Sequence, residues 1–85
     1  MITWEELRGI LIPLIPNGKE IDVMPDTYLF GDLEFDSLSI MELLLALEDE
    51  YGIDFTSLDN FAMRFERCDL LLEGINELLK NKREV

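Results

Sequence analysis

No histidine occurs in the 85 residues, and only one cysteine, three prolines and seven basic side chains do. Without histidine the chain lacks the commonest general base, the usual activator of a nucleophile and the commonest metal ligand, which argues against an independent enzyme. A lone Cys68 excludes an intramolecular disulfide and any cysteine-rich zinc or iron–sulfur site, and it fits a reducing compartment. Seven Lys and Arg against 19 Asp and Glu leave a net charge of −12. That charge repels nucleic-acid phosphates and anionic lipid headgroups, so basic proteins are the expected partners. Apolar runs such as Leu43 to Leu47 fall far short of a membrane span, and Glu5 and Glu6 stand where an export signal carries Lys or Arg. The expectation is one cytoplasmic, monomeric domain over residues 1–85, with no nucleic-acid partner and no membrane insertion.

Apolar residues make up 48% of the chain, too many for intrinsic disorder despite the charge. A domain of this size buries only about 60–65% of its unfolded surface, which leaves room for one core and no large enclosed active site. Thr3 and Glu6 form a capping box ahead of Leu7, Ile10, Leu11 and Leu14, so a first helix begins near Trp4. Pro13 either stops it near Ile12 or kinks it. A long connection from Pro16 to Asp36 follows, with Asn17-Gly18, Pro25 and Gly31 as turn signals. Tyr28, Leu29, Phe30, Leu33 and Phe35 are too apolar for a solvated linker and should pack on the helices.

Asp36 is a good N-cap, residues 37–51 contain neither Gly nor Pro, and Gly52 sits where a left-handed C-terminal residue belongs. Beyond Ile53-Asp54-Phe55, Thr56 or Ser57 can cap a short third helix from Leu58 to about Met63. A last helix is expected after Asp69, running to about Lys80 with Leu71, Ile75, Leu78 and Leu79 on one face and Gly74 at a close helix contact. Lys80, Lys82 and Arg83 place cations at its C-terminal end. The fold class is therefore all-α: a bundle of three long helices plus a short third helix, with a long loop between helices one and two.

The second helix has two apolar stripes. At about 100° per residue, Ile40, Leu43, Leu44, Leu47 and Tyr51 share one face, while Leu38, Met41 and Leu45 lie on another, rimmed by Glu42, Glu48 and Asp49. The second stripe reads as a docking face, the alternative being burial beneath the long loop. Residues 20–63 hold 12 acidic side chains, including Glu20, Asp22, Asp26 and Asp59, and no basic one interrupts them between Lys19 and Arg64. Such a block self-repels unless a cationic partner meets it. Ser37 falls in the first turn of this helix, where free amide protons favour a phosphate; Ser39 and Ser57 are the other serines, and a spare capping role is its plain alternative. Asp32-x-Glu34-x-Asp36 suggests a calcium loop. The reading fails because Ser37 stands where glycine is needed and Leu43 where a bidentate glutamate is needed, so no built metal site is expected and only loose divalent binding by the acidic loop is left open.

Asp36-Ser37-Leu38, preceded by Gly31-Asp32-Leu33-Glu34-Phe35 and followed by the acidic helix from Ile40 to Tyr51 with Gly52-Ile53, resembles the acyl carrier proteins. The likeness is close over residues 28–55 and looser over the rest. It implies a non-catalytic carrier whose Ser37 hydroxyl is esterified by 4′-phosphopantetheine, transferred from coenzyme A by a separate magnesium-dependent phosphopantetheinyl transferase. The terminal thiol of that arm would hold acyl intermediates of fatty-acid, polyketide or related lipid or natural-product synthesis as thioesters. On this resemblance Asp36 would help the transferase place its metal and the serine. Leu38, Met41, Glu42, Glu48 and Asp49, with Leu45 in the same stripe, would face basic surfaces of acyltransferases and ketosynthases. Cys68 would be a small core residue rather than the reactive thiol. Glu34 stands where many members carry glycine, Pro13 interrupts the first helix, no proline follows Ile53-Asp54-Phe55, and residues 55–67 depart from the common pattern. Two other readings compete: an acidic helical adaptor with no arm, and a peptidyl or D-alanyl carrier.

Overall fold

The computed structural model describes residues 1–16, 22–58 and 61–83. The Asn17-Gly18 turn, Lys19, Glu20 and Asp59 lie outside the described residues, as do the side chains of Lys82 and Arg83. Three α-helices form the frame: α1 is Trp4–Leu11, α2 is Ser37–Tyr51 and α3 is Cys68–Arg83. Among the described residues there is no strand, only an isolated bridge between Tyr28 and Arg67.

Thr3 caps α1, its side-chain oxygen accepting the Glu6 amide at 3.3 Å. Of the two outcomes expected of Pro13, the first holds: α1 stops at Leu11 with Ile12 as its C-cap, and a 3₁₀ turn over Ile12–Leu14 follows, closed by the Ile15 amide on the Ile12 carbonyl at 3.2 Å. Proline has no amide to give, and near the start of a short 3₁₀ turn none is required. With eight residues, α1 is short, so only two of the three α-helices in the frame are long.

Among the described residues no α-helix stands where a short helix from Leu58 to Met63 is expected, and residues 59 and 60 of that span lie outside them. Two 3₁₀ segments, Phe55–Ser57 and Phe61–Phe65, take its place, with Leu58 extended after the first. Asp54, not Thr56 or Ser57, caps the first of them, its Oδ1 accepting the Thr56 amide at 3.0 Å and the Thr56 hydroxyl at 2.6 Å. Phe55 and Phe65 meet with ring centroids 5.2 Å apart and planes tilted by 58°, an arrangement aromatic pairs favour.

α3 begins at Cys68, earlier than expected, because its first amides find carbonyl partners in the long loop. Cys68 donates to the Thr27 carbonyl at 3.0 Å and Asp69 to that of Pro25 at 2.7 Å. At the other end of the chain Asn76 holds Ile2 by both backbone groups, at 2.8 and 3.2 Å. Gly74 lies where an added Cβ would come within 3.3 Å of Arg64 Cγ and Leu58 Cδ1, which is the close contact expected of it. Arg64 in turn pairs with Glu77 at 3.0 Å, fastening the second 3₁₀ segment to α3.

Leu7 and Leu11 of α1, Leu43 and Leu47 of α2, and Leu71 and Ile75 of α3 are buried together, each burial stabilising the fold by about 1.5–3 kcal/mol. Ile40, Leu44 and Tyr51 are half-buried against this core, so the first stripe of α2 faces inward as its spacing predicts. The loop adds Val23, Leu29, Leu33 and Phe35 to the core. Tyr28 and Phe30 stay exposed, contrary to the expectation that all the loop aromatics pack inward.

Candidate functional site

The start of α2 is positioned by the loop that precedes it, which is tied to the segment leading into α3. Thr27 is buried, and its Oγ1 accepts the Met24 amide at 2.9 Å while its own amide reaches the Met24 carbonyl at 3.0 Å, closing a turn at Pro25-Asp26. The carbonyls this turn presents are those that receive the amides of α3. The Leu29 amide donates to the Glu66 carbonyl at 3.1 Å and the Phe35 amide to the Leu29 carbonyl at 3.0 Å. Burial of Leu33 and Phe35 on either side of exposed Glu34 then fixes the direction in which Asp36 enters the helix.

Glu34 has φ 57°, a left-handed conformation that strains any residue with a Cβ. That backbone explains why glycine suits this position.

Asp36 is extended and caps α2. Its Oδ1 accepts the Ser39 amide at 2.8 Å and the Ser39 hydroxyl at 2.7 Å. These bonds, the Ser39 amide foremost, hold the Asp36 carboxyl below its usual pKa, because each donor favours the ionised form. Ser37 is the first residue of α2 and exposed. Among the described residues nothing hydrogen-bonds its hydroxyl. The other two serines are engaged: Ser39 as above, and Ser57 Oγ in a bond to the Asp54 carbonyl at 2.7 Å. Ser39 is the cap partner that sequence reasoning passed over; its spacing three residues after an aspartate N-cap was the available signal.

Leu38, Met41 and Leu45 are 71%, 53% and 58% exposed, so the loop does not cover the second stripe. Glu42 and Asp49 are exposed beside it. Glu48 differs from its neighbours on the rim: half-buried, it uses Oε2 to accept the Phe55 amide at 3.1 Å. Cys68 is buried, and desolvation, with Asp69, Asp32 and Asp26 adding repulsion, pushes its thiol up to about 12. No group of three or more His, Cys, Asp or Glu that could hold a metal gathers among the described residues. Of the loop carboxylates suggestive of calcium, Asp32 and Asp36 are both occupied by backbone amides.

The family model for the phosphopantetheine attachment site matches residues 5–63. The chain is 30% identical over 82 residues to the acyl carrier protein of Campylobacter hominis, covering 96% of this chain and all of that one. The chain belongs to the acyl carrier protein family. It is also 30% identical over 73 residues to acyl carrier protein 2, mitochondrial, of Arabidopsis thaliana, covering 82% of this chain and 56% of that relative.

Members of the acyl carrier protein family bear covalent 4′-phosphopantetheine. The arm supplies a terminal thiol on which acyl groups are held as thioesters. Such proteins are carriers; catalysis belongs to the phosphopantetheinyl transferase that loads the arm and to the acyl-processing enzymes that use it. The start of α2 suits that group: an exposed primary hydroxyl at the positive end of a 15-residue helix, where a phosphodiester is electrostatically favoured. No helix among the described residues is long and apolar enough to cross a membrane.

Proposed function

We propose that Ser37 is the residue to which 4′-phosphopantetheine is attached, and that the loaded arm carries acyl intermediates of fatty-acid, polyketide or related lipid synthesis in the cytoplasm. One observation carries the choice of serine. Ser37 presents an exposed hydroxyl with no hydrogen bond among the described residues, whereas Ser39 and Ser57 each donate theirs to a local acceptor. A hydroxyl already committed as a donor must give up that bond before it can be activated, so Ser37 reacts at least cost.

Asp36 has two roles in this reading. It ties down the first turn so that the Ser37 side chain leaves the helix in a fixed direction, and its ionised carboxylate sits next to the serine, where a transferase-bound cation can use it. Leu38, Met41 and Leu45 then offer an apolar strip to partner enzymes, with Glu42 and Asp49 steering basic surfaces onto it. An acyl rather than a peptidyl or D-alanyl cargo is supported by the names of both relatives.

The test is intact-mass measurement after incubating the purified chain with coenzyme A, magnesium and a broad-specificity phosphopantetheinyl transferase. The expected product gains one pantetheine arm, and Ser37→Ala gains none. No gain in the native chain favours an arm-less acidic adaptor, and an arm retained by Ser37→Ala moves the site to another residue.

A further inference from the structure

The turn that delivers Asp36 and Ser37 is closed by a carboxylate. Asp32 Oδ2 accepts the Tyr28 amide at 2.9 Å, and the Asp32 amide donates to the Tyr28 carbonyl at 3.1 Å, so one residue grips both backbone groups of another. The Leu33 amide converges on the same Tyr28 carbonyl at 3.1 Å. Leu29 follows Tyr28 directly, and its peptide groups link the Glu66 carbonyl on one side to the Phe35 amide on the other. Phe35 precedes the Asp36 cap. Tyr28 is thus fixed at both backbone groups just ahead of the Leu29 peptide, and the Asp32 carboxylate supplies the side-chain acceptor in that grip.

We propose that Asp32 is a positioning residue for pantetheine attachment: the placement of its carboxylate oxygen, and not its charge, sets the direction in which the Ser37 hydroxyl is offered to the transferase. The proposal rests on Ser37 being the attachment serine. An exposed aspartate on so acidic a carrier invites the opposite reading, contact with a basic partner. The two roles separate cleanly by substitution. Asp32→Asn keeps an acceptor oxygen at the same reach and removes the charge, whereas Asp32→Glu keeps the charge but places the oxygen one methylene away.

Transfer of the arm from coenzyme A is followed by intact mass at several carrier concentrations, giving kcat and KM for the native chain, Asp32→Asn, Asp32→Glu and Asp32→Ala. The expected result is native-like kcat for Asp32→Asn. Asp32→Glu and Asp32→Ala should show a kcat lowered about threefold to tenfold with KM little changed, the size expected when one hydrogen bond no longer orients the reacting group. The Tyr28 and Phe35 amides, followed by hydrogen exchange in the arm-free protein, should stay protected in Asp32→Asn and lose protection in the other two. A raised KM in Asp32→Asn with native kinetics in Asp32→Glu overturns the proposal, because charge would then be what matters. So does an Asp32→Ala chain modified as fast as the native one, a result that leaves Ser37 intact as the attachment site. If the native chain takes up no arm at all, the attachment reading fails and the positioning role fails with it. Should Asp32→Ala not fold, as judged by circular dichroism, the Asn and Glu variants decide alone.

Discussion

Glu48 reaches out of α2 to accept the Phe55 amide at 3.1 Å, so a carboxylate on the rim of the exposed apolar stripe also starts the 3₁₀ turn that follows the helix. Glu48→Ala should therefore cost about 1–2 kcal/mol, the range for losing a partly buried hydrogen bond to a charged acceptor. Glu48→Gln, which keeps an oxygen in place, should lose about half as much or less. Urea denaturation of the two variants measures the difference, and equal stabilities would show that the bond contributes nothing.

Glu42 and Asp49 are exposed and hold no such bond among the described residues, which makes them the clean probes of steering. The double variant Glu42→Lys, Asp49→Lys should fold with stability within about 0.5 kcal/mol of native. Its association with a basic transferase should be slower, and the rate should fall less steeply with added salt, since screening acts on exposed charge. Stopped-flow rates at low and high salt give the answer.

The Asp36 cap sets a pH dependence. Its carboxyl is held below the ordinary aspartate value by donors present only in the folded chain, chiefly the Ser39 amide. The stabilisation is thus fully present above the unfolded value of about 4, and it is lost as pH falls through the lower native value. Asp54 behaves likewise through the Thr56 hydroxyl and amide. Asp36→Asn should unfold at a lower temperature than native at pH 7, with the gap closing by pH 2, as thermal melts across that interval will record.

Glu34 occupies a left-handed conformation, φ 57°. Glu34→Gly should raise stability by about 0.5–1 kcal/mol, the relief of Cβ strain exceeding the greater freedom glycine has when unfolded. Glu34→Val should lower it by a similar amount or more, because β-branching is worst tolerated there. Chemical denaturation of the pair tests the sign of both changes.

Cys68 is buried with its thiol pushed up to about 12, so the native apo chain should not react with a thiol reagent at pH 8. After pantetheine attachment one thiol per chain should react, and after denaturation two. Rapid labelling of the native apo form would place Cys68 at the surface and contradict the burial.

α2 was legible because its signals are local: an aspartate N-cap, fifteen residues free of Gly and Pro, and Gly52, which adopts φ 62° as the C-terminal residue. The start of α3 was not. Asp69 looks like a cap in the sequence, but the first amides of the helix are satisfied by Pro25 and Thr27, which are remote along the chain. The stretch after Ile53 misled for a similar reason. Its residues would suit a short α-helix, and packing of Phe55 against Phe65, with Asp54 fixing the first turn, selects the tighter 3₁₀ form. At the candidate site, the second stripe of α2 could be read from spacing, while Ser37 stood out only through the resemblance of Asp36-Ser37-Leu38 to the acyl carrier proteins, since its position alone suits a spare capping serine. The separate duties of Asp32, Ser39 and Glu48 could not be read, because three exposed or half-exposed polar groups look alike until their partners are known. Glu48 lies at the edge between the two stripes of α2, and only the folded position of Phe55 determines which side claims it.

With attachment at Ser37 as proposed, helix initiation and chemical reactivity fall to different serines at the head of α2. Because Ser39, and not Ser37, shares the cap with Asp36, esterifying the Ser37 hydroxyl would sever no hydrogen bond among the described residues. On that proposal, loaded and unloaded forms would share one unchanged scaffold, and partner enzymes would meet the same helix before and after loading.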